Sequence, residues 1–551
     1  YKRKKPIQWC ASCRTALAEA EVEYEDHESP SVYVKFPLIS DLSDRLPGLQ
    51  GKDVSVLIWT TTPWTLPANL GICVHPDFEY VAVKTADDIM IMAEGLAGRT
   101  MLTCGIEGHE VLERFSGKTL EGLLCRHPLY ERDSLLMTGT HVTLEAGTGC
   151  VHTAPGHGQE DYEVGLQNDL EVYAPVDNRG CFTDDVAYFS GQFVFEANQA
   201  INTMLQEKGA LLKEETISHS YPHCWRCKKP VIFRATEQWF VSMEKNGLRQ
   251  KALAEIEHTE WIPHWGRNRI NGMIESRPDW CLSRQRTWGI PIVAFYCNQC
   301  NEILLDSTVI NHVADIFEQE GSDSWFSCSE DKLLPPGTAC PDCGNTAFTK
   351  ETDILDVWFD SGVSHAAVLE KRDGLESPCD LYLEGSDQHR GWFQSSLLTS
   401  VASRGRAPYR AVLTHGFVVD GKGEKMAKSK GNVIAPEAII KQYGADLLRL
   451  WVSSENYQED MRISPDILKR LSDAYRKIRN TCRFMLGNLY DFEPLTDSVP
   501  YDQLEELDKW ALYRLNLLTR RIRSAYDRYE FHTIYHSATN FCINDMSAVY
   551  L

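Results

Sequence analysis

The sequence predicts a multidomain chain of α/β class: a strand-rich region, then a layered α/β region with a parallel sheet, then a helical segment. Three textures carry that expectation. From 31 to 212, short apolar runs such as "SVLIW" and "YVAVK" alternate with turn-rich pieces, the pattern of strands. From 380 to 455, "CDLYLEG", "APYRAVLTHGFVVD" and "ADLLRLWVSS" alternate with helical stretches, the pattern of helices layered on a parallel sheet. After Ser464 the apolar residues take a helical period.

That last segment reads in detail. In "SPDILKRLSDAYRKIRNTCRFMLGN", Ser464 sits as an N-cap, and Pro465 takes the first helical position, where its missing N–H costs nothing. Ile467, Leu468, Leu471, Tyr475, Ile478 and Cys482 then share one face. A second helix around 507–528 carries Arg514, Arg520, Arg521, Arg523 and Arg528. Those arginines are either a face for nucleic-acid phosphate or a solvated helix surface.

Composition bounds the rest. At about 150 residues per domain, 551 residues suggest roughly three to five domains. There are 56 Lys and Arg against 78 Asp and Glu, a net charge of −22, which argues against non-specific nucleic-acid binding and leaves room for a local basic patch. No apolar run approaches the roughly 18–20 residues needed to span a bilayer, so no membrane partner is expected. The opening "YKRKKPIQWC" is basic with no apolar stretch behind it, so no signal peptide is read; the first residue is not Met, and the sequence is expected to begin inside a longer protein.

Of 18 cysteines, eight form C-x-x-C pairs: Cys10/Cys13, Cys224/Cys227, Cys297/Cys300 and Cys340/Cys343. Many unpaired thiols in a large chain point to a reducing, cytoplasmic compartment, where such pairs read as metal or redox sites. Two thiolates from each of two tight turns complete a tetrahedral Zn²⁺ site. Cys297/Cys300 and Cys340/Cys343 are close enough in sequence to make one zinc ribbon. Cys10/Cys13 and Cys224/Cys227 share a site only if the segment between them is an insertion whose ends return to one place; spacing leaves that open.

Three further segments carry chemistry. "WTTTPWTLPAN", residues 59–69, and "GTGCVHTAPGHGQEDY", residues 147–162, crowd Thr60, Thr61, Thr62, His152, His157, Glu160 and Asp161 into turn-rich sequence. They form either a polar pocket that positions a ligand or a water, or ordinary strand threonines and turn glycines. In "YLEGSDQHRGWF", residues 382–393, a strand ending is followed by Glu384, Asp387, Gln388 and His389, then by Trp392, at the end of the strand where open α/β sheets bind ligands. A carboxylate there suits an ammonium group, and an indole walls an apolar side chain. In "GKGEKMAKSKGN", residues 421–432, lysines on a glycine-rich loop suit a clamp for a phosphate anion, although the G-x-x-x-x-G-K-[ST] pattern is absent.

Taken together these motifs resemble the class I aminoacyl-tRNA synthetase family. The resemblance to its isoleucyl branch is close and covers essentially the whole chain. It rests on "WTTTPWTLPAN", "GTGCVHTAPGHG", "SYPHCWRC", "RPDWCLSRQRTWGIP", "DVWFDSG", "LEGSDQHRGWF", "KMAKS" and "GADLLRLWVSSENY" in that order. The valyl and leucyl relatives share the architecture and match less well. The resemblance implies a Rossmann-type catalytic domain interrupted by a β-rich editing domain. It divides the chain into 1–30, the end of the first catalytic half with a zinc knuckle; 31–212, the inserted editing domain; 213–290, the return with a second knuckle; 291–352, a zinc-ribbon-like insertion; 353–463, the second Rossmann half; and 464–551, the start of a helical anticodon-binding domain.

The resemblance also assigns roles. Lys425 and Lys428 would hold the ATP phosphates, with Mg²⁺, and stabilise departing pyrophosphate as isoleucyl-adenylate forms. Glu384 would hold the isoleucine ammonium, Asp387 and Gln388 would line the same site, and Trp392 would wall the side chain. Thr60, Thr61, Thr62 and His152 would shape a hydrolytic site for mischarged valyl-tRNA(Ile), and Asp161 would grip its amino group. Cys10, Cys13, Cys224 and Cys227 would form a second zinc site. The implied partners are isoleucine, ATP and tRNA(Ile), and the implied state is a monomer. Two departures qualify this. The H-x-G-H signature is absent, so the sequence reads as a piece lacking both ends, expected to be poor alone at ATP–pyrophosphate exchange and able to act by itself only as an editing deacylase or tRNA-binding module. Ala427 stands where the lysine-loop signature has its middle serine, with a modest effect expected.

Overall fold

In a computed structural model that describes residues 1–427 and 430–551, the chain forms two compact units. The first comprises Tyr1–Arg249 and Ser276–Val363, the second Gln250–Glu275 and Ser364–Leu551.

A long antiparallel ribbon organises the first unit. Val22–Pro37 pairs with Leu211–Cys224, from Val22 opposite Cys224 up to Val34 opposite Leu211. The ribbon continues into a six-stranded sheet ordered Leu211–Cys224, Val22–Pro37, Val54–Thr60, Ile89–Ala93, Glu79–Lys84 and Glu110–Ser116. A four-stranded sheet of Cys150–Thr153, Gly71–Val74, Asp133–Thr138 and Leu124–Arg126 shares its core. The strand texture read from 31 to 212 is therefore observed.

Its unbroken apolar runs have a physical cause. In Glu79–Lys84, Tyr80 and Ala82 enter one core with Val34, Ile58 and Ile91, while Val81 and Val83 enter another with Met90, Met92 and Met101. Because helix Glu94–Thr103 covers that second face, both faces of the sheet are buried and polar alternation disappears.

Below the ribbon lies a buried charge cluster. Arg284 Nε donates to Glu21 Oε2 at 2.9 Å, and its Nη2 lies 3.2 Å from Asp356 Oδ2. Arg286 Nη2 is 3.0 Å from Glu21 Oε1, and the Ala18 N–H donates to Glu21 Oε2 at 2.9 Å. Asp356 also accepts the Trp280 Nε1–H at 2.9 Å and the Trp358 N–H at 3.1 Å, capping helix Val357–Gly362.

The second unit holds a parallel sheet with Tyr409–His415 between Glu260–Ile262 and Cys379–Gly385. Helix Trp392–Arg404 makes the crossover and is buried from Phe393 to Val401, as a helix laid on a parallel sheet must be. This βαβ unit realises the α/β expectation. The chain is thus a mixed α/β protein with a Rossmann-type core and a β-rich insert.

Helix Pro465–Asn488 begins as its sequence indicates: Ser464 Oγ accepts the Ile467 N–H at 3.3 Å, with Pro465 in the first position. Leu468 and Leu471 are buried, but Cys482 is exposed. Thr481 faces inward instead, with Oγ1 2.9 Å from Ser547 Oγ. In the region read as an arginine helix, Glu506–Asp527, Arg514 pairs with Asp545 at 3.0 Å and Arg520, Arg521 and Arg523 are exposed. No helix among the described residues is long and apolar enough to cross a membrane.

Burial alone would raise the Glu21 carboxyl, but Arg284, the Ala18 N–H and Arg286 hold it below its ordinary value. Its stabilising contribution is therefore present above the unfolded pKa and is lost as pH falls through the folded one. Arg284→Met leaves two carboxylates buried with too few partners. The expected cost is about 3–5 kcal/mol, read as a lower urea midpoint for the first unit at neutral pH. A midpoint unchanged from that of the parent chain contradicts this reading of the cluster.

Candidate functional site

The strand Val54–Thr60 runs into a threonine turn. Thr60 Oγ1 accepts the Thr62 N–H at 3.1 Å and lies 3.3 Å from Thr62 Oγ1. Thr61 and Thr62 line a cavity of about 450 Å³. A chain of hydrogen bonds fixes the turn from behind. Ser134 Oγ–H donates to Asn69 Oδ1 at 2.6 Å, which orients the amide so that Nδ2 donates to Gly71 O at 2.8 Å and to His152 Nδ1 at 2.9 Å. His152 Nε2–H then donates to Thr65 Oγ1 at 2.7 Å, and Thr65 Oγ1–H donates to Thr62 O at 2.9 Å. Burial, with His157 beside it, pushes the His152 pKa down to about 3. A neutral imidazole with both nitrogens engaged is a scaffold for the turn and has no lone pair left to act as a base.

Asp161 lies in the first turn of helix Gln159–Gln167 and accepts the Ala154 N–H at 2.9 Å, outside that hydrogen-bond chain. A Cβ on Gly158 would meet Asp161 Cγ at 2.9 Å, so glycine leaves room for the carboxyl. The residue is partly exposed, but its carboxyl is enclosed, and burial pushes its pKa up to about 7 in spite of the Ala154 bond. A desolvated carboxylate of this kind gains most from a cation, and an ammonium group suits it. Nearby, His157 Nδ1–H donates to Phe233 O at 2.8 Å while its Nε2 is buried without a partner among the described residues. Burial pushes its pKa down to about 4.

In the second unit, Glu384 stands at the carboxyl end of Cys379–Gly385, opposite Thr414 and exposed. Gln388 Nε2 donates to Asp387 Oδ2 at 3.2 Å, and Gln388 Oε1 accepts the Trp392 N–H at 2.8 Å, starting helix Trp392–Arg404. The Trp392 ring stacks on Tyr382 with centroids 3.9 Å apart and planes 9° apart, and its Nε1–H donates to Ser364 Oγ at 3.1 Å. The structure thus gathers Glu384, Asp387, Gln388 and Trp392 onto one strand-to-helix turn. His389, by contrast, is buried among Trp261, Trp265 and Phe393, and burial pushes its pKa down to about 4. It is a core residue.

The lysine-rich loop is tied by side chains at its two ends. Asp420 Oδ1 accepts the Lys422 and Glu424 N–H groups, each at 2.9 Å. Asp420 Oδ2 accepts Asn432 Nδ2–H at 2.9 Å, and Asn432 Oδ1 accepts the Ala427 N–H at 2.9 Å. Lys425 bridges to Val419, and Lys428 lies outside the described residues.

Cys10, Cys13, Cys224 and Cys227 converge, as do Cys297, Cys300, Cys340 and Cys343, with all four sulfurs of each group within 4.8 Å of one another. Cys10 Sγ is 3.4 Å from Cys227 Sγ, and Cys297 and Cys300 Sγ lie 3.5 Å from the Cys343 and Cys340 sulfurs. Metal–sulfur bonds of about 2.3 Å in a tetrahedron put sulfurs roughly 3.8 Å apart, so each group could hold a metal ion. Register explains the first group: pairing Val22 with Cys224 returns the second cysteine turn to the first.

A family model described as tRNA synthetases class I (I, L, M and V) matches residues 1–464. The chain belongs to that family. A second model, the anticodon-binding domain of tRNA ligase, matches residues 508–551 of this class I synthetase chain. Similar curated proteins include the isoleucine–tRNA ligases of Geobacter sulfurreducens, 61% identical over all of this chain and 60% of its own length, and Syntrophotalea carbinolica, 62% identical over all of this chain and 59% of its own length. The relative from Syntrophomonas wolfei is 55% identical over the whole chain and 59% of its own length. The chain therefore spans about 60% of the length of the relatives it matches.

Sequence reasoning passed over the residues that hold the threonine turn together. Thr65 and Asn69 lie inside "WTTTPWTLPAN" but drew no role, and Ser134 sits in "DSLLMT", where nothing local marks it. The Asp161 carboxyl yields a prediction with a definite sign. The unfolded aspartate titrates near 4 and the folded one at about 7. Between those values the unfolded chain loses a proton that the folded chain keeps, so stability falls as pH rises from about 4 to about 7 and then levels. Asp161→Asn is expected to remove that slope. The first unit should melt later than the parent above pH 7, by an amount worth a few kcal/mol, and alike near pH 4. Parallel curves of melting temperature against pH exclude the buried-carboxyl reading.

Proposed function

We propose that this chain is the part of an isoleucine–tRNA ligase that carries its amino-acid-binding turn, its lysine loop and its editing site. The observation that supports this most is identity of 61% and 62%, running the full length of the chain, with relatives named isoleucine–tRNA ligase. Glu384 holds the ammonium of isoleucine, with Asp387 and Gln388 beside it, and Trp392 walls the side chain. Lys425 and Lys428 neutralise the phosphates of ATP, bound with Mg²⁺, as pyrophosphate departs. The ligation partner is tRNA(Ile).

The editing reading has a chemical motive. An apolar pocket separates side chains one methylene apart by only about 1–3 kcal/mol, a general limit for which this family is itself the standard illustration. A second site must then remove valine. Asp161 as carboxylate takes the α-ammonium of a mischarged valyl ester. The Thr60–Thr62 turn, held by Thr65, Asn69 and His152, shapes the space around the ester and its attacking water. Valyl-tRNA(Ile) is expected to be hydrolysed by this chain and isoleucyl-tRNA(Ile) to be spared. Asp161→Ala should slow hydrolysis roughly 100-fold or more, the usual loss when one partner of a buried charge pair is removed. Undiminished deacylation by that variant refutes the placement.

The two Cys₄ groups fit zinc, because thiolate sulfurs at these separations match tetrahedral Zn–S geometry and no oxygen ligand is among them. Bound zinc would cross-link the turns that carry the cysteines. Elemental analysis is expected to give two zinc ions per chain, falling to one in Cys340→Ser, and stripping both with a chelator should lower the thermal midpoint. Chain purified with full thermal stability and no zinc would exclude this.

A further inference from the structure

Arg132 is a charged side chain that the β-rich insert encloses without an acid. Its Nε is buried with no acceptor, and no carboxylate pairs with it among the described residues. Burial lowers its pKa from the ordinary arginine value, yet a guanidinium stays charged at every working pH. Enclosing a charge is costly unless something meets it. Two features do so here. The guanidinium carbon lies 5.2 Å from the ring centre of Tyr130 and 5.6 Å from that of Tyr173, and aromatic faces attract a cation. Arg132 Nη2 also donates to Pro67 O.

That carbonyl belongs to the buried 3₁₀ helix Pro63–Ala68, which Thr62 precedes and Asn69 follows. The last carbonyls of a helix lack partners inside it and form its negative end, so a cation suits them. His127 completes the cap. Its Nδ1 accepts the Leu129 and Tyr130 N–H groups at 3.0 and 3.3 Å, which puts the proton on Nε2, and Nε2–H donates to Leu66 O at 2.9 Å. Burial, with Arg132 beside it, pushes the His127 pKa down to about 3, so the cap carries its positive charge on Arg132. Both residues come from one hairpin, in which the His127 N–H donates to Arg132 O at 2.9 Å. Within the helix, the Thr65 N–H donates to Thr62 O and the Asn69 N–H to Leu66 O, each at 2.9 Å. A shift at the carbonyl end therefore reaches the threonine turn at the start.

We propose that Arg132 is a positioning residue for hydrolysis at the threonine turn: with His127 it fixes the carbonyl end of Pro63–Ala68, and through that helix the place of Thr62 around the attacking water. The role in hydrolysis rests on the editing reading, whereas the clamp on the helix is a property of the chain itself. Because Arg132 acts through the helix, it governs how fast a bound ester is cut and leaves the grip on the substrate to Asp161.

The test measures steady-state deacylation of valyl-tRNA(Ile) by the whole chain, below the thermal midpoint of every variant. Arg132→Met is expected to lower kcat roughly tenfold to 100-fold, since a displacement of about 1 Å at a reacting centre has that effect, with KM within about twofold of the parent. Arg132→Lys keeps a cation for the carbonyl end and should restore most of kcat. Unchanged kcat in Arg132→Met, with or without an earlier melt, overturns the proposal, and so does a lysine variant as slow as the methionine one. If Arg132→Met does not fold, Arg132→Gln replaces it, expected to be slower than Arg132→Lys; parity between those two also overturns it. Amide hydrogen exchange reads the clamp without substrate. Thr65 and Asn69 should exchange roughly tenfold faster in the neutral variant, with the strand Val54–Thr60 unaffected. Unaltered exchange there refutes the clamp whatever the activity. A parent chain that leaves valyl-tRNA(Ile) intact, with exchange altered as expected, sinks the editing reading alone.

Discussion

The first unit depends on one buried ionic cluster. Glu21, Arg284 and Asp356 are essentially inaccessible to water, so each charge must be met by another or by a hydrogen-bond donor. That requirement ties three remote stretches of sequence into one place. Glu21 opens the ribbon, and its backbone carbonyl accepts the Trp225 N–H at 3.0 Å, within the second cysteine turn. Arg284 brings in the segment "SRQRTWG", and Asp356 caps the helix of "DVWFDSG". A cluster of this kind gains little net energy over an apolar replacement. What it supplies is geometry, because any other arrangement strands a charge.

The same desolvation works in the opposite direction at Asp161. Glu21 has two guanidinium groups at its carboxylate and is held low, whereas Asp161 has one backbone N–H and is pushed up to about 7. One carboxyl is already satisfied by the protein, and the other is left wanting a cation. The surrounding hydrogen-bond chain from Ser134 to Thr62 is by contrast complete, so the turn keeps its shape whether or not a ligand is present.

Much of this was legible in the sequence where the cause is local. The cap at Ser464 and Pro465, the strand runs between 31 and 212, and the strand-to-helix turn at Glu384 all follow from short-range rules, and the structure has them. The convergence of Cys10/Cys13 with Cys224/Cys227 was not legible from spacing, because it depends on ribbon register over some two hundred intervening residues; family resemblance supplied it. The inward turn of Thr481 in place of Cys482 was missed because helical periodicity gives a face only to within one residue, and the hydroxyl of Ser547, far along the chain, selects between them. Ser134 and Asn69 were missed for a like reason: buried polar partners are chosen by tertiary contact, and composition carries no trace of them.

The lysine loop shows how a local charge can disregard the chain's total of −22. Screening in ordinary salt acts over about 8–10 Å, so the field at this loop is set by its immediate neighbours. Those neighbours are arranged to hold backbone. Asp420 takes two main-chain N–H groups and the Asn432 amide, and Asn432 takes the Ala427 N–H. Asp420, the acid at the loop's base, is therefore occupied by peptide and amide donors. The same arrangement bears on position 427. The bond that fixes position 427 runs through its main-chain nitrogen to Asn432, so replacing serine by alanine removes a hydroxyl and leaves the loop's anchor untouched.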